Sequence, residues 1–243
     1  MSHTDRRLLG LEHGKIGDRI AVVLNGKQIY KSLYKPTNPR TPKQQMHRAK
    51  LAFANKLSKV MAEAVNLGFA TVSKKGSAQS PRNVFVKKNW NNGALVWLER
   101  EQEQGNTASN EALSGYWGII PEKLCLADGP LYIAKDMASE VRDGRIYISC
   151  PNPGLNDSHA FADDQLMVAV YHPALNTTYL YHGPTRNQCA ECNFDLPTDA
   201  VSNDPVYVYS WFQATVSHRA SGSKIGVRPG QASPSLYLGG FIL

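Results

Sequence analysis

The first regular pattern along the chain is a pair of short amphipathic runs. Asp18-Arg19-Ile20-Ala21-Val22-Val23-Leu24 leads into Asn25-Gly26, and Lys27-Gln28-Ile29-Tyr30-Lys31-Ser32-Leu33 then mixes polar and apolar residues as a half-buried strand does. Asn-Gly accepts positive φ at both central positions of a type I′ turn, whose twist suits paired strands. An N-terminal β-hairpin is therefore predicted. Lys35-Pro36-Thr37-Asn38-Pro39-Arg40-Thr41-Pro42 holds three prolines and reads as an extended linker. It ends in a helix start, with Thr41 as cap, Pro42 at the first helical position and Gln44 three residues after the cap. Met46, Ala49, Phe53, Leu57, Val60 and Ala64 recur at steps of three and four. They predict one long amphipathic helix running to about Leu67 and stopping at Gly68. Arg48 and Lys59 project opposite its apolar face, and Lys43 and Lys50 flank that face.

Residues 71–79 are polar and turn-like. Ser80-Pro81 fits the start of a shorter helix towards Trp90, and a strand fits the same residues. Asn91-Asn92-Gly93 breaks either one, and residues 100–114 read as a surface loop. From about residue 115 the texture becomes strand-like. Strands are predicted over Arg145–Cys150, Gln165–Tyr171, Thr177–His182, Val206–Thr215 and Ser235–Leu243, with Gly/Pro/Asn clusters between them. The expected fold is mainly β with α: an N-terminal hairpin plus a long helix, then an antiparallel immunoglobulin-like β-sandwich. The expected division is a hairpin-plus-helix region over 1–110 and a sandwich over 111–243.

Charge sharpens that division. The net charge of +7 hides 18 Lys/Arg against 4 Asp/Glu in residues 1–90, and 9 against 16 in residues 91–243. A basic front and an acidic rear suit a polyanionic partner, or docking of one copy's front on the next copy's rear. At 243 residues, 42% apolar and 19% charged, the chain can bury a large core. No apolar run approaches the roughly 20 residues that span a bilayer. The charged first 25 residues lack a signal-peptide core, so the chain is expected to be made in the cytoplasm. Its cysteines, Cys125, Cys150, Cys189 and Cys192, are then expected to be thiols.

The order of elements and motifs resembles a known family. Asn38-Pro39-Arg40-Thr41-x-x-Gln44-x-x-x-Arg48-x-x-x-x-Phe53 follows the hairpin, and Asn83, Phe85 and Asn89 come next. Asp163-Asp164-Gln165, Val168-Ala169-Val170-Tyr171-His172-Pro173, Leu196-Pro197, Val206-Tyr207-Val208-Tyr209 and Ser233-x-Ser235-x-Tyr237-x-Gly239 complete the series. This is similar to an uncharacterised family of Bacteroidota proteins, a domain of unknown function. The resemblance covers most of the chain. It implies a basic front with a sandwich behind, and it implies nothing catalytic.

Catalytic signatures are absent. There is no G-x-x-x-x-G-K-[ST], no G-x-G-x-x-G after a strand, no H-E-x-x-H and no G-x-S-x-G. Cys189-Ala190-Glu191-Cys192 has the spacing of half a zinc site, but a second close pair is missing, and a turn carrying small apolar thiols explains it as well. Asp163-Asp164 near His159 can be offered as metal ligands or an acid–base pair; a polar turn before a strand is the simpler reading. Tyr207-Val208-Tyr209-Ser210-Trp211 alternates as core strands do, which favours packing over a ligand-stacking platform. No cofactor, metal or small-molecule substrate is expected, and neither is an enzyme.

Two functions remain. The first is a non-enzymatic assembly protein forming repeated contacts with copies of itself or other subunits; its most concrete version is a phage or prophage virion component. The apolar ending, with Tyr237, Leu238, Phe241, Ile242 and Leu243, is its candidate assembly strand. The alternative is sequence-nonspecific nucleic-acid binding, with possible contact to DNA. Its candidate contacts, which can also serve subunits, are Arg40, Lys43, Arg48, Lys50, Lys56, Lys59, Lys74, Lys75, Lys87 and Lys88.

Overall fold

The structure is a computed structural model. It describes residues 3–5, 11–24, 27–33, 40–72, 79–99, 115–155, 159–196, 204–219, 226–227 and 229–242. The chain forms two compact units, residues 1–45 with 75–78, and residues 46–74 with 79–243.

The first unit is an antiparallel meander of β1 (His3–Asp5), β2 (Leu11–Ile16), β3 (Arg19–Leu24) and β4 (Lys27–Ser32), paired in chain order. β3 and β4 are the predicted hairpin. Leu24 faces Lys27 across a two-residue connection; the Asn25-Gly26 turn itself lies outside the described residues. Sequence reasoning missed β1 and β2. Gly17, at φ +58°, opens the turn from β2 to β3, a position that favours glycine. Ala21 is buried in this unit, while Ile29 and Tyr30 of β4 are exposed.

The second unit carries the rest of the fold: α1 (Pro42–Val60), whose first turn contains the boundary between units, α2 (Ala62–Gly68) and α3 (Pro81–Asn91). Then follow β5 (Leu95–Glu99), β6 (Gly115–Ile119), β7 (Ala138–Arg142), β8 (Arg145–Ser149), β9 (Gln165–His172), β10 (Thr177–Thr185), β11 (Glu191–Asp195), β12 (Pro205–Gln213), β13 (His218–Arg219), β14 (Gly226–Val227) and β15 (Leu236–Ile242). Four strands pair antiparallel in the order β10-β9-β12-β15, three in the order β11-β8-β7, and β5-β6 and β13-β14 form two-stranded ribbons. The fold is thus mainly β and antiparallel, as expected.

β9 and β12 are the centre of this unit because both of their faces are covered. Met167, Ala169, Tyr171, Tyr209 and Trp211 point into a core shared with Leu57, Met61, Val65, Phe69 and Phe85 of the helical region. The alternate residues Leu166, Val168, Val170, Val206, Val208 and Phe212 point into a second core with Ile146 and Ile148 of β8. Period-two alternation therefore separates a helical layer from a facing sheet. The helices, grouped by sequence with the hairpin, share a core with β9 and β12.

Two expectations about the helix need correction. The single helix to Leu67 is broken at Met61, whose φ of −99° and ψ of 21° leave helical geometry. The break is a bend, because Met61 N–H still donates to the Leu57 carbonyl and Val65 N–H to the Met61 carbonyl. The buried stripe of α1 is Ala54, Leu57 and Ser58; Phe53 and Val60 lie at its border, half-buried. Gly68 ends α2, but for a different reason from a left-handed cap. A Cβ there would come within 2.2 Å of the Leu126 carbonyl oxygen, so the close approach of residues 126–127 requires glycine.

The helix starts follow the sequence. Gln44 N–H reaches Thr41 Oγ1 at 3.4 Å and Gln45 N–H donates to the Thr41 carbonyl. Ser80 caps α3, accepting from Asn83 N–H at 3.3 Å, with Pro81 at the first position. Of the two structures open for residues 80–90, the helix forms.

β15 pairs with β12 and ends the four-stranded sheet. Leu238 bulges between the pairs Val208–Gly239 and Tyr209–Tyr237, and Gly239 takes φ +139° to allow it. No helix among the described residues is long and apolar enough to cross a membrane.

Candidate nucleic-acid interface

α1 carries five Lys/Arg and α3 carries three, and neither has an Asp or Glu. Two contacts hold α3 in place. Arg82 of α3 donates through Nε to Ser58 Oγ (3.0 Å) and through Nη2 to the Asn55 carbonyl (3.4 Å), which ties it to α1. Buried Asn89 donates to the Phe85 and Cys125 carbonyls at 3.0 and 2.9 Å and accepts from Cys125 N–H at 2.8 Å. These bonds fix α3 on Cys125 and pair both of its backbone polar groups.

Between the two helices runs an open groove of about 510 Å³, lined by His47, Leu51, Asn55, Asn83, Val86, Lys87, Trp90 and Asn91. His47 packs on Trp90 with ring centroids 4.9 Å apart and planes tilted by 58°. Lys50 Nζ lies 4.3 Å from the Trp90 ring centroid and 5.0 Å from that of Trp117. A cation over two indoles is worth about 0.5–2 kcal/mol. It also orders the Trp90 ring. Lys87 and Asn91 also border a second groove, with Lys88, Asp128, Val72 and Val84.

The predicted contact residues therefore fall into distinct groups. Arg48, Lys56, Lys59 and Lys87 are exposed. Arg48 and Lys59 sit about three turns apart, on one stripe of α1. Arg40 and Lys43 are also exposed and belong to the first unit. Lys50 is half-buried over its two rings, and Lys88 is ion-paired with Asp128, so both are engaged within the protein. Lys74, Lys75 and Leu243 lie outside the described residues. Near Lys88, burial pushes the Cys125 thiol above its ordinary range, with the Lys88 charge opposing.

Of the candidate assembly strand, Tyr237 faces the helix-side core, while Leu238 and Phe241 pack in the sheet-side core. Ile242, at 75% exposure, is the most open large apolar side chain described. Ser139 Oγ donates to the Leu238 carbonyl at 3.2 Å, so β15 is tied within its own fold as well.

The other motifs resolve into structural parts. Asp164 and Arg186 form a fully buried ion pair, Oδ2 to Nε at 3.2 Å, and Phe161 N–H also donates to that carboxylate. The Arg186 guanidinium donates to the Pro153 and Tyr132 carbonyls at 2.7 and 2.8 Å and lies 3.7 Å from the Phe212 ring centroid. Burial raises the Asp164 carboxyl, against the pull of Phe161 N–H and Arg186. Sequence reasoning missed this hub, since the partners of Arg186 lie 22 and more residues from it. Cys150 and Cys189 are hydrogen-bonded to each other, which raises the first thiol and lowers the second; burial pushes Cys192 up to about 11. All four cysteines are free. No cluster of three or more potential metal ligands occurs among the described residues. Tyr209 and Trp211 are fully buried, in line with the packing reading of that strand.

Over the three-stranded sheet lies a trough of about 600 Å³ lined by residues of both signs, among them Glu140, Arg142 and Glu191 with Tyr147 and Asn193. Comparison of the chain with protein-family models, with curated proteins and with solved structures finds no match.

Proposed function

We propose that the helical layer, α1 with α3, binds the backbone of nucleic acid without reading its sequence. The observation that carries this is that Arg48, Lys56, Lys59 and Lys87 are exposed on two helices that bear no carboxylate. Lysine and arginine supply phosphate contacts and release of condensed counterions, a sequence-independent source of affinity. In this reading the facing sheets of four and three antiparallel strands are an immunoglobulin-like sandwich that carries the helices on one side. The absence of the phosphate-loop and metalloprotease motifs supports a binding role over an enzymatic one.

A second reading is favoured by β15. An apolar strand at the margin of a sheet, ending in exposed Ile242, is suited to pair with the margin of a second copy. That is the assembly-subunit function, of which a virion component is the concrete form.

One experiment separates the two. Light scattering and fluorescence anisotropy are followed with a labelled 20-base-pair duplex between 50 and 200 mM salt. Backbone binding predicts a monomer that shifts on adding DNA and loses affinity about 10³-fold over that range if some six phosphates are neutralised. Large assemblies without DNA, and no salt-sensitive binding, would replace the first reading with the second.

A further inference from the structure

We infer that the groove between α1 and α3 takes an unpaired base, so that this face prefers single-stranded nucleic acid to duplex. The inference rests on the backbone reading above and adds a base site to it. Phosphate contacts alone need exposed cations; they do not need a recess with aromatic rings. This recess places the His47 ring against Trp90 and holds Trp90 beneath the Lys50 ammonium. Asn55 and Asn91 line the same groove together with Lys87. Every base has a π-face and polar edges, so rings with neighbouring amides accept bases with little selectivity. Lys87 and the α1 cations match the strand's phosphates in charge. In a duplex the bases are paired and stacked behind the backbone and cannot enter a groove between two helices, whereas a single strand can splay a base into it.

The test compares three ligands on the full chain by fluorescence anisotropy at one fixed salt concentration. They are a 20-nucleotide oligothymidine, a strand of equal length and charge built from abasic units, and a 20-base-pair duplex. The oligothymidine is expected to bind about tenfold more tightly than the abasic strand, and more tightly than the duplex. His47→Ala, an exposed substitution that leaves the core untouched, is expected to shrink the oligothymidine-to-abasic ratio towards one. The comparison of the three ligands on the unaltered chain stands whether or not the variant folds. Equal binding of all three ligands would overturn the base site and leave the backbone reading standing. No binding of any of them would overturn both.

Discussion

The two layers that cover the central sheet bury similar apolar faces and present different surfaces to water. α1 and α3 hold cations and no carboxylate. The outer side of β7, β8 and β11 mixes Glu140, Glu191 and Asp195 with Arg142 and Arg145, and Arg145 Nε lies 2.6 Å from Asp195 Oδ1. Folding asks the same of both layers, an apolar inner side and a polar outer one. A mixed-sign surface meets that demand without self-repulsion, and a single-signed one does not. α2 of the same layer carries Glu63, so the excess of cations belongs to α1 and α3, the surface for which we propose a polyanionic partner.

The largest expected effect tests whether the layers are equals in the fold. Trp211 and Phe212 are adjacent on β12 and fully buried on opposite faces of the sheet. Trp211→Ala and Phe212→Ala should each lower unfolding free energy by about 3–5 kcal/mol in denaturant titrations. If Trp211→Ala left stability unchanged, the helices would not be a packed layer and the comparison would fail.

A smaller effect distinguishes the two faces by pH. The helix-side face carries Tyr171 and Tyr209, whose phenols burial pushes above their ordinary range. A phenol with a raised pKa stays neutral in the fold while the unfolded chain ionises near pH 10. Its contribution is complete below pH 10 and is lost as pH rises towards the folded-state value, by about 1.4 kcal/mol per pH unit for each such group. Tyr209 also donates to the Pro121 carbonyl at 3.0 Å. Tyr209→Phe should cost about 1 kcal/mol at pH 7 and flatten the decline between pH 10 and 12. An unchanged alkaline slope would remove Tyr209 from this account.

Much of the sheet-side architecture was legible. The predicted strands Arg145–Cys150, Gln165–Tyr171, Thr177–His182, Val206–Thr215 and Ser235–Leu243 match β8, β9, β10, β12 and β15 within a few residues, because turn clusters bound their apolar runs. β7 and β11, Ala-Ser-Glu-Val-Arg and Glu-Cys-Asn-Phe-Asp, escaped notice because each is half polar and exposes alternate residues. The bend at Met61 has no glycine or proline to announce it, and the apolar period runs through it. Ser233 and Ser235, noted as a motif, act as stitches: Ser233 Oγ accepts from Phe212 N–H and Ser235 Oγ from Leu126 N–H, both at 2.9 Å. The groove was half legible. His47, Leu51 and Asn55 step by four along α1, and Asn83, Lys87 and Trp90 step by four and three along α3, so each stripe is visible locally. That the two stripes meet depends on Arg82 reaching Ser58, 24 residues away, which no local pattern encodes.

The most direct test of the central claim reverses charge on one layer at a time. One variant combines Arg48→Glu, Lys56→Glu and Lys59→Glu on α1; the other combines Arg142→Glu and Arg145→Glu on the facing sheet. Nucleic-acid affinity at low salt and thermal melting are measured for both. Backbone binding by α1 predicts about a hundredfold or greater loss of affinity for the α1 variant with little change in melting, and near-native affinity for the sheet variant. Equal losses in both, or none in the α1 variant, would contradict it.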